Sequence, residues 1–200
     1  MSHMSQSQYQ IVCFDIGIRN LAWSIVNVDQ PNVEIAHLEV SDLNCKKQET
    51  QKIIDATLNV LDEIYQKMNL TIPIVILIES QMTSVMRMVQ TVINTFFKMH
   101  ARYQSLSLTT KYISPKLKLA LTEVFKDQYV LPSVTAASSY RQNKIDSVHF
   151  GSWLLMSSKY KNERILQQIL SMKKRDDAFD CLLPCFHYLE VETKKQSKRS

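Results

Sequence analysis

Gln10-Ile11-Val12-Cys13-Phe14-Asp15-Ile16 is a short apolar run that closes on an acid and is followed at once by Gly17. A segment of this length and composition reads as a buried β-strand. A carboxylate at the end of such a strand is costly unless a partner or a metal ion compensates it. Outward from it, residues 21–28 and 33–40 are two further β-rich runs, broken by Asp29-Gln30-Pro31-Asn32. That break is a turn signal, so the first three strands are expected to form an antiparallel meander. From 49 to 68, Ile53, Ile54, Leu58, Leu61, Ile64 and Tyr65 recur at helical spacing. Ile74-Val75-Ile76-Leu77-Ile78 then forms a fully apolar run closing on Glu79, as expected of a central strand covered on both faces.

Residues 85–103 are again helical in pattern, with Val89, Val92, Ile93, Phe96, Phe97 and His100 on one side, and 106–113 offers a fifth strand. Beyond Ser114-Pro115 the pattern is helical in pieces, over 116–125, 142–156, 162–170 and 176–189, with a loop at Leu131-Pro132-Ser133. This order predicts an α/β fold, a five-stranded mixed sheet flanked by helices. Residues 9–190 are expected to form one domain. Residues 1–8 read as a disordered N-terminus or tag remnant, and 191–200 as a basic disordered tail carrying Lys194, Lys195, Lys198 and Arg199.

Composition narrows the function classes. Of the 200 residues, 45% are hydrophobic, enough for one sizeable core, yet no run reaches the ~18 apolar residues of a membrane span. No signal-peptide core is visible at the N-terminus. The four cysteines are scattered without a C-x-x-C pair, which predicts free thiols and an intracellular, reducing setting. Only Gly17 and Gly151 are glycines, so the glycine-rich phosphate loops of nucleotide-dependent enzymes are not expected, and neither is a nucleotide cofactor. Net charge is +5 with an isoelectric point near 9.0. Lys111, Lys116, Lys118, Arg141, Lys144, Lys173, Lys174 and Arg175 all lie in the second half, either as a solvated surface or as a phosphate-contacting face.

Three acids stand where acids are costly: Asp15, Glu79, and Asp180 inside Ala178-Phe179-Asp180-Cys181-Leu182-Leu183. Asp176 and Asp177 precede Asp180 at i−4 and i−3, on the same side of a helix. Such a cluster of hard oxygen donors suits Mg²⁺ or Mn²⁺, and two such ions ~3.5–4 Å apart suit phosphodiester hydrolysis. A competing reading makes Asp176 and Asp177 an N-cap and first-turn pair that exploits the helix dipole. Asp15 has a rival role as a turn former and Glu79 as a strand-end partner of Arg87.

At this point the residues resemble a known family. Asp15-Ile-Gly-Ile-Arg-Asn20-Leu-Ala22 is similar to the first-strand motif of RuvC-type Holliday junction resolvases, nearest the poxviral and fungal mitochondrial branch. Ile78-Glu79-Ser80-Gln81 resembles that branch's Glu-x-Gln strand end, and Ser139-Tyr140-Arg141-Gln142-Asn143-Lys144 its Tyr-Arg-x-x-Lys segment. Lys173-Lys174-Arg175-Asp176-Asp177-Ala178-Phe179-Asp180 resembles its final helix, and Ile113-Ser114-Pro115-x-x-Lys118 its strand-to-helix junction.

The resemblance covers residues 10–188 and implies a ribonuclease H-like fold. It also implies a metal-dependent endonuclease that cuts opposed strands of branched, four-way DNA as a homodimer. It makes Asp15, Glu79, Asp177 and Asp180 the metal ligands, with Asp176 as the alternative register on the helix, and Mg²⁺ the cofactor with Mn²⁺ substituting. Lys144 would act in catalysis. Asn20, Gln81, Arg87, Lys118, Tyr140, Arg141, Lys144, Lys173 and Lys174 would contact nucleic acid. Tyr140 and Phe97 are candidates for stacking on bases, although for Phe97 core packing is the expected role. The chain departs from the poxviral pattern after Glu79, where Ser80-Gln81-Met82-Thr83-Ser84 replaces an arginine-rich stretch. A poxviral origin would place the protein in the host cytoplasm, a fungal one in the mitochondrion. The rival readings are another ribonuclease H-like nuclease, acting on RNA–DNA hybrid or other branched DNA, and a catalytically silent DNA-binding protein.

Overall fold

β1 (Tyr9–Asp15) is the axis of the sheet because its residues are apolar on both sides and can be paired along both edges. In this computed structural model, which describes residues 8–130 and 136–197, β1 runs antiparallel to β2 (Leu21–Asp29) and parallel to β4 (Ile74–Glu79). β3 (Asn32–Ser41) pairs antiparallel with β2, and β5 (Leu108–Ile113) pairs parallel with β4. The resulting order is β3-β2-β1-β4-β5, a five-stranded mixed sheet. The meander and the turn at 29–32 thus form as expected, with Asp29 opposite Asn32.

Two compact units divide the chain, residues 1–113 and 114–200. The division falls after β5, where strands give way to helices. In the first unit, α1 (Thr50–Lys67) and α2 (Ser84–Tyr103) pack together and share a core with the sheet. Val12, Phe14, Trp23, Ile25, Ile76 and Ile78 meet Ile53, Leu61 and Ile64 of α1 and Val89, Ile93 and Phe97 of α2. Phe97 is fully buried and tilted against Phe14 at 5.9 Å, so it is a core residue and no stacking platform. Side chains alternate along a strand. Asp15 therefore shares its side of the sheet with Ile11 and Cys13, and Glu79 with Leu77, on the face that α1 and α2 do not cover. Ile11, Cys13 and Leu77 are fully buried as well.

The second unit contains α3 (Leu117–Ala120), a 3-10 turn (Leu121–Val124), α4 (Ser139–Ser157), α5 (Glu163–Ser171) and α6 (Arg175–Ser197). The single helix expected over 116–125 is broken into the first two of these. The β-branched Thr122 and Val124 weaken it, and the Thr122 hydroxyl bonds the Leu119 carbonyl at 2.6 Å. α4 starts on Ser138, whose hydroxyl accepts the Arg141 N–H at 3.3 Å, and α5 on Asn162, which accepts the Ile165 N–H at 3.1 Å. α6 continues to Ser197, past the end expected at 189 and into the segment expected to be a tail. Glutamate, lysine and glutamine there are good helix formers, and no glycine or proline stops the run. Pro184 inside α6 has no amide hydrogen, so the helix lacks the rung that would run to the Asp180 carbonyl. The expected loop at 131–133, like residues 1–7 and 198–200, lies outside the described residues.

α4 and α6 approach most tightly at Gly151, where an added Cβ would lie 2.2 Å from the Phe179 ring. Gly151 and Phe179 are both buried, so the glycine sits in mid-helix because the ring occupies its side-chain volume. Cys13, Cys45, Cys181 and Cys185 are buried, and none is in a disulfide. Among the described residues, no helix is long and apolar enough to cross a membrane.

Candidate active site

Asp15 and Glu79 end neighbouring parallel strands. The last ladder pair of β1 and β4 is Phe14 opposite Ile78, and one step further along the same register places Asp15 beside Glu79. Adjacent strands lie ~4.8 Å apart. Glu79 is 6% exposed and Asp15 half-buried, so two carboxylates share the carboxyl edge of the sheet, the end at which open α/β sheets bind ligands. The chain leaves Asp15 through a close turn. A Cβ on Gly17 would stand 2.8 Å from the Asn20 carbonyl oxygen, so only glycine fits between the acid and β2. Asn20 is the residue just ahead of β2 and is half-buried.

The segment after Glu79 is held at three points. The Ser80 N–H donates to the Ile113 carbonyl at 2.8 Å, and the Gln81 N–H to the Gln90 side-chain oxygen at 2.8 Å. Arg87 Nε donates to the Gln81 carbonyl at 3.1 Å. Gln81 and Arg87, both expected to contact nucleic acid, thus also fix the conformation of this loop.

In the helical unit the acids of α6 face lysines. The Lys144 ammonium contacts the carboxylate of Asp176 and lies 3.5 Å from that of Asp177. Lys118 of α3 bonds Asp180 at 3.0 Å, and both side chains are largely buried. A shared helix face suggests one counter-charge for the three acids; the structure divides them between two lysines reaching in from different helices. Burial pushes the Lys144 ammonium down, but its hydrogen bond to Asp176 and the charges of Asp177 and Asp176 outweigh this and hold it above its ordinary value. Burial likewise pushes Asp176 up, and the hydrogen bond and charge of Lys144 overcome it, leaving the carboxyl below its ordinary value. Asp176 and Asp177 also occupy the first turn of α6, where the helix dipole favours acids, so the dipole reading of this pair holds alongside the ion pairs.

Lys118 and Lys144, expected as phosphate contacts, are therefore engaged with carboxylates. Lys144 also lies over the exposed Tyr140 ring, 5.3 Å from its centre. Arg141 is exposed in the first turn of α4, and Lys173 and Lys174 are exposed just before α6. Among the described residues, no group of three or more His, Cys, Asp or Glu side chains stands close enough to hold a metal ion. The motif reading passes over Arg175, which opens α6 next to Asp176. The basic run before the helix contains it, but only its neighbours Lys173 and Lys174 match the motif.

No family model and no curated protein matches the sequence. Solved structures do match the fold, which is that of the RuvC-type resolvases, a ribonuclease H-like sheet flanked by helices. The Holliday junction resolvase of fowlpox virus is similar at 20% identity and a TM-score of 0.57, over 91% of this chain and 98% of that one. Thermus thermophilus RuvC is similar at 13% identity and a TM-score of 0.52, over 92% and 97%. The Thermus thermophilus protein in complex with a Holliday junction substrate gives 10% identity, a TM-score of 0.53, and 91% and 96% coverage.

Proposed function

We propose that this chain is a metal-dependent, structure-selective DNA endonuclease that resolves four-way junctions. The observation that carries the reading is the pair Asp15 and Glu79, side by side at the carboxyl edge of two central parallel strands. The fold around them is shared along nearly its whole length with two resolvases.

By the motif resemblance, Asp15 and Glu79 on the sheet and Asp177 and Asp180 on α6 would be the residues that hold the metal. The close hold of Lys144 on Asp176 favours Asp177 as the first-turn ligand. The donor chemistry fits, since every one of these acidic side chains offers hard carboxylate oxygens. Bound Mg²⁺ or Mn²⁺ would supply Lewis-acid activation of water and charge stabilisation of the leaving oxygen. The chain's own residues do the rest. Buried strand register holds Asp15 and Glu79 still. Lys144 holds the Asp176 carboxyl below its ordinary value, and Lys118 and Lys144 provide positive charge where an anionic phosphate would approach. Tyr140, Arg141, Lys173 and Lys174 offer exposed contacts for DNA strands. Assembly as a homodimer would let two subunits cut two opposed strands.

The test is cleavage of a mobile four-way junction in Mg²⁺, beside linear duplex and RNA–DNA hybrid, with Asp15→Asn and Glu79→Gln. Paired symmetric nicks confined to the junction and lost in both variants would establish the activity. Cleavage of the hybrid instead would move the function to RNA removal. Junction binding without cleavage in Mg²⁺ or Mn²⁺ would leave a binding protein.

A further inference from the structure

A cleft of about 530 Å³ opens in the helical unit between α4 and the start of α6. Arg141, Lys144, Ile145 and Val148 recur at i, i+3, i+4 and i+7 along α4, so they form one stripe and supply one wall. Arg175 and Asp176 supply the other. Lys144 is taken up by Asp176 and neutralises the one acid present. Arg141 and Arg175 have no ion pair among the described residues, and both are exposed. The cleft therefore combines two available guanidinium groups, the amino end of a long helix and an aliphatic floor of Ile145 and Val148.

That combination selects its ligand by chemistry. Guanidinium forks and a helix amino terminus suit a phosphate. An aliphatic floor beside them suits a flat apolar group on the same molecule. The volume falls within the ~300–1,000 Å³ range of small-ligand sites. A nucleotide whose base is unstacked carries both parts. A duplex would present its phosphates but keep its bases inside, leaving Ile145 and Val148 with nothing to touch.

We propose that this cleft seats one nucleotide of a DNA single strand, with its phosphate against Arg141 and Arg175 and its base on Ile145 and Val148. The proposal rests on DNA being the substrate class and is independent of cleavage.

The test is fluorescence anisotropy in EDTA, where no metal-supported cutting enters the readout. The probes are a 5′-labelled oligothymidylate and an abasic strand of equal length. The Arg141→Ala/Arg175→Ala protein is expected to bind the oligothymidylate about tenfold more weakly, with a salt dependence shallower by about 0.7 for each phosphate no longer neutralised. The unmodified protein should bind the abasic strand more weakly than the oligothymidylate, and Val148→Asp should erase that preference. All three substituted positions are exposed or half-buried, and an unchanged thermal melt checks that the variants fold. Unaltered affinity and salt dependence in the double variant would overturn the proposal. Equal binding of the two strands by the unmodified protein would do so too, since it would reduce the cleft to a phosphate surface. A failure to cleave four-way junctions would change neither result.

Discussion

Asp15 and Glu79 on one side, and Asp176, Asp177 and Asp180 on the other, are acids of the same chemistry held by opposite means. In the sheet, position comes from the main chain. β1 and β4 are hydrogen-bonded partners, and their register sets where each carboxylate stands whatever its side chain does. In the helices, position comes from side chains. Lys118 and Lys144 reach across to α6, and the ring of Phe179 fills the space left by Gly151. A main-chain placement survives the removal of any one side chain, whereas a side-chain placement fails with its partner. The sheet acids are thus rigid by construction, and the helix acids are adjustable and dependent on their neighbours.

The comparison can be broken most sharply at Asp15. Asp15→Asn keeps the shape and the strand, so cleavage of a four-way junction should fall by about 10²–10³-fold or more while the thermal melt stays within a degree or two. A large drop in melting temperature would show that the sheet needs the charge for its own stability. Lys118→Met should act in the reverse sense. It leaves the largely buried Asp180 carboxylate without its lysine, and urea denaturation without added metal should show a loss of about 2–3 kcal/mol. A loss near zero would mean that α3 does not position Asp180. Gly151→Ala gains about 1 kcal/mol of helix propensity but drives a methyl group into Phe179 at a cost of about 1–3 kcal/mol. A net loss of about 1 kcal/mol is expected by the same denaturation, and a stabilised variant would sink the packing argument. Lys144→Met should cost least, about 1 kcal/mol or below, because the Lys144 side chain is more open to solvent than that of Lys118. Its larger effect is expected in junction binding measured at low salt.

Much of the strand unit was legible in the chain. Apolar runs of strand length closing on Asp15 and Glu79 announce central strands, and the break at 29–32 announces the hairpin, because a period of two and a turn are local properties. The α6 acids were legible as a cluster for the same reason, since i, i+3 and i, i+4 spacing is local too. What the cluster leans on was not. Long lysine side chains cross between helices, and nothing in their own neighbourhood says that Lys118 reaches Asp180 while Lys144 reaches Asp176 and Asp177. The break of the helix at 121 and the run of α6 to Ser197 escaped because propensity shifts of a few tenths of a kcal/mol decide helix ends. Gly151 could be noticed as a glycine in a helical pattern, but its reason is a ring that lies on another helix, far along the chain.

Positions 151 and 179 occupy a single volume, and this makes them one heritable unit. An alanine at 151 should be tolerated only where 179 has shrunk, so Phe179→Leu, harmful alone through the space it empties, should partly rescue Gly151→Ala. Among descendants of this chain, the two positions should therefore drift together, with the bulky residue and the glycine changing as a pair.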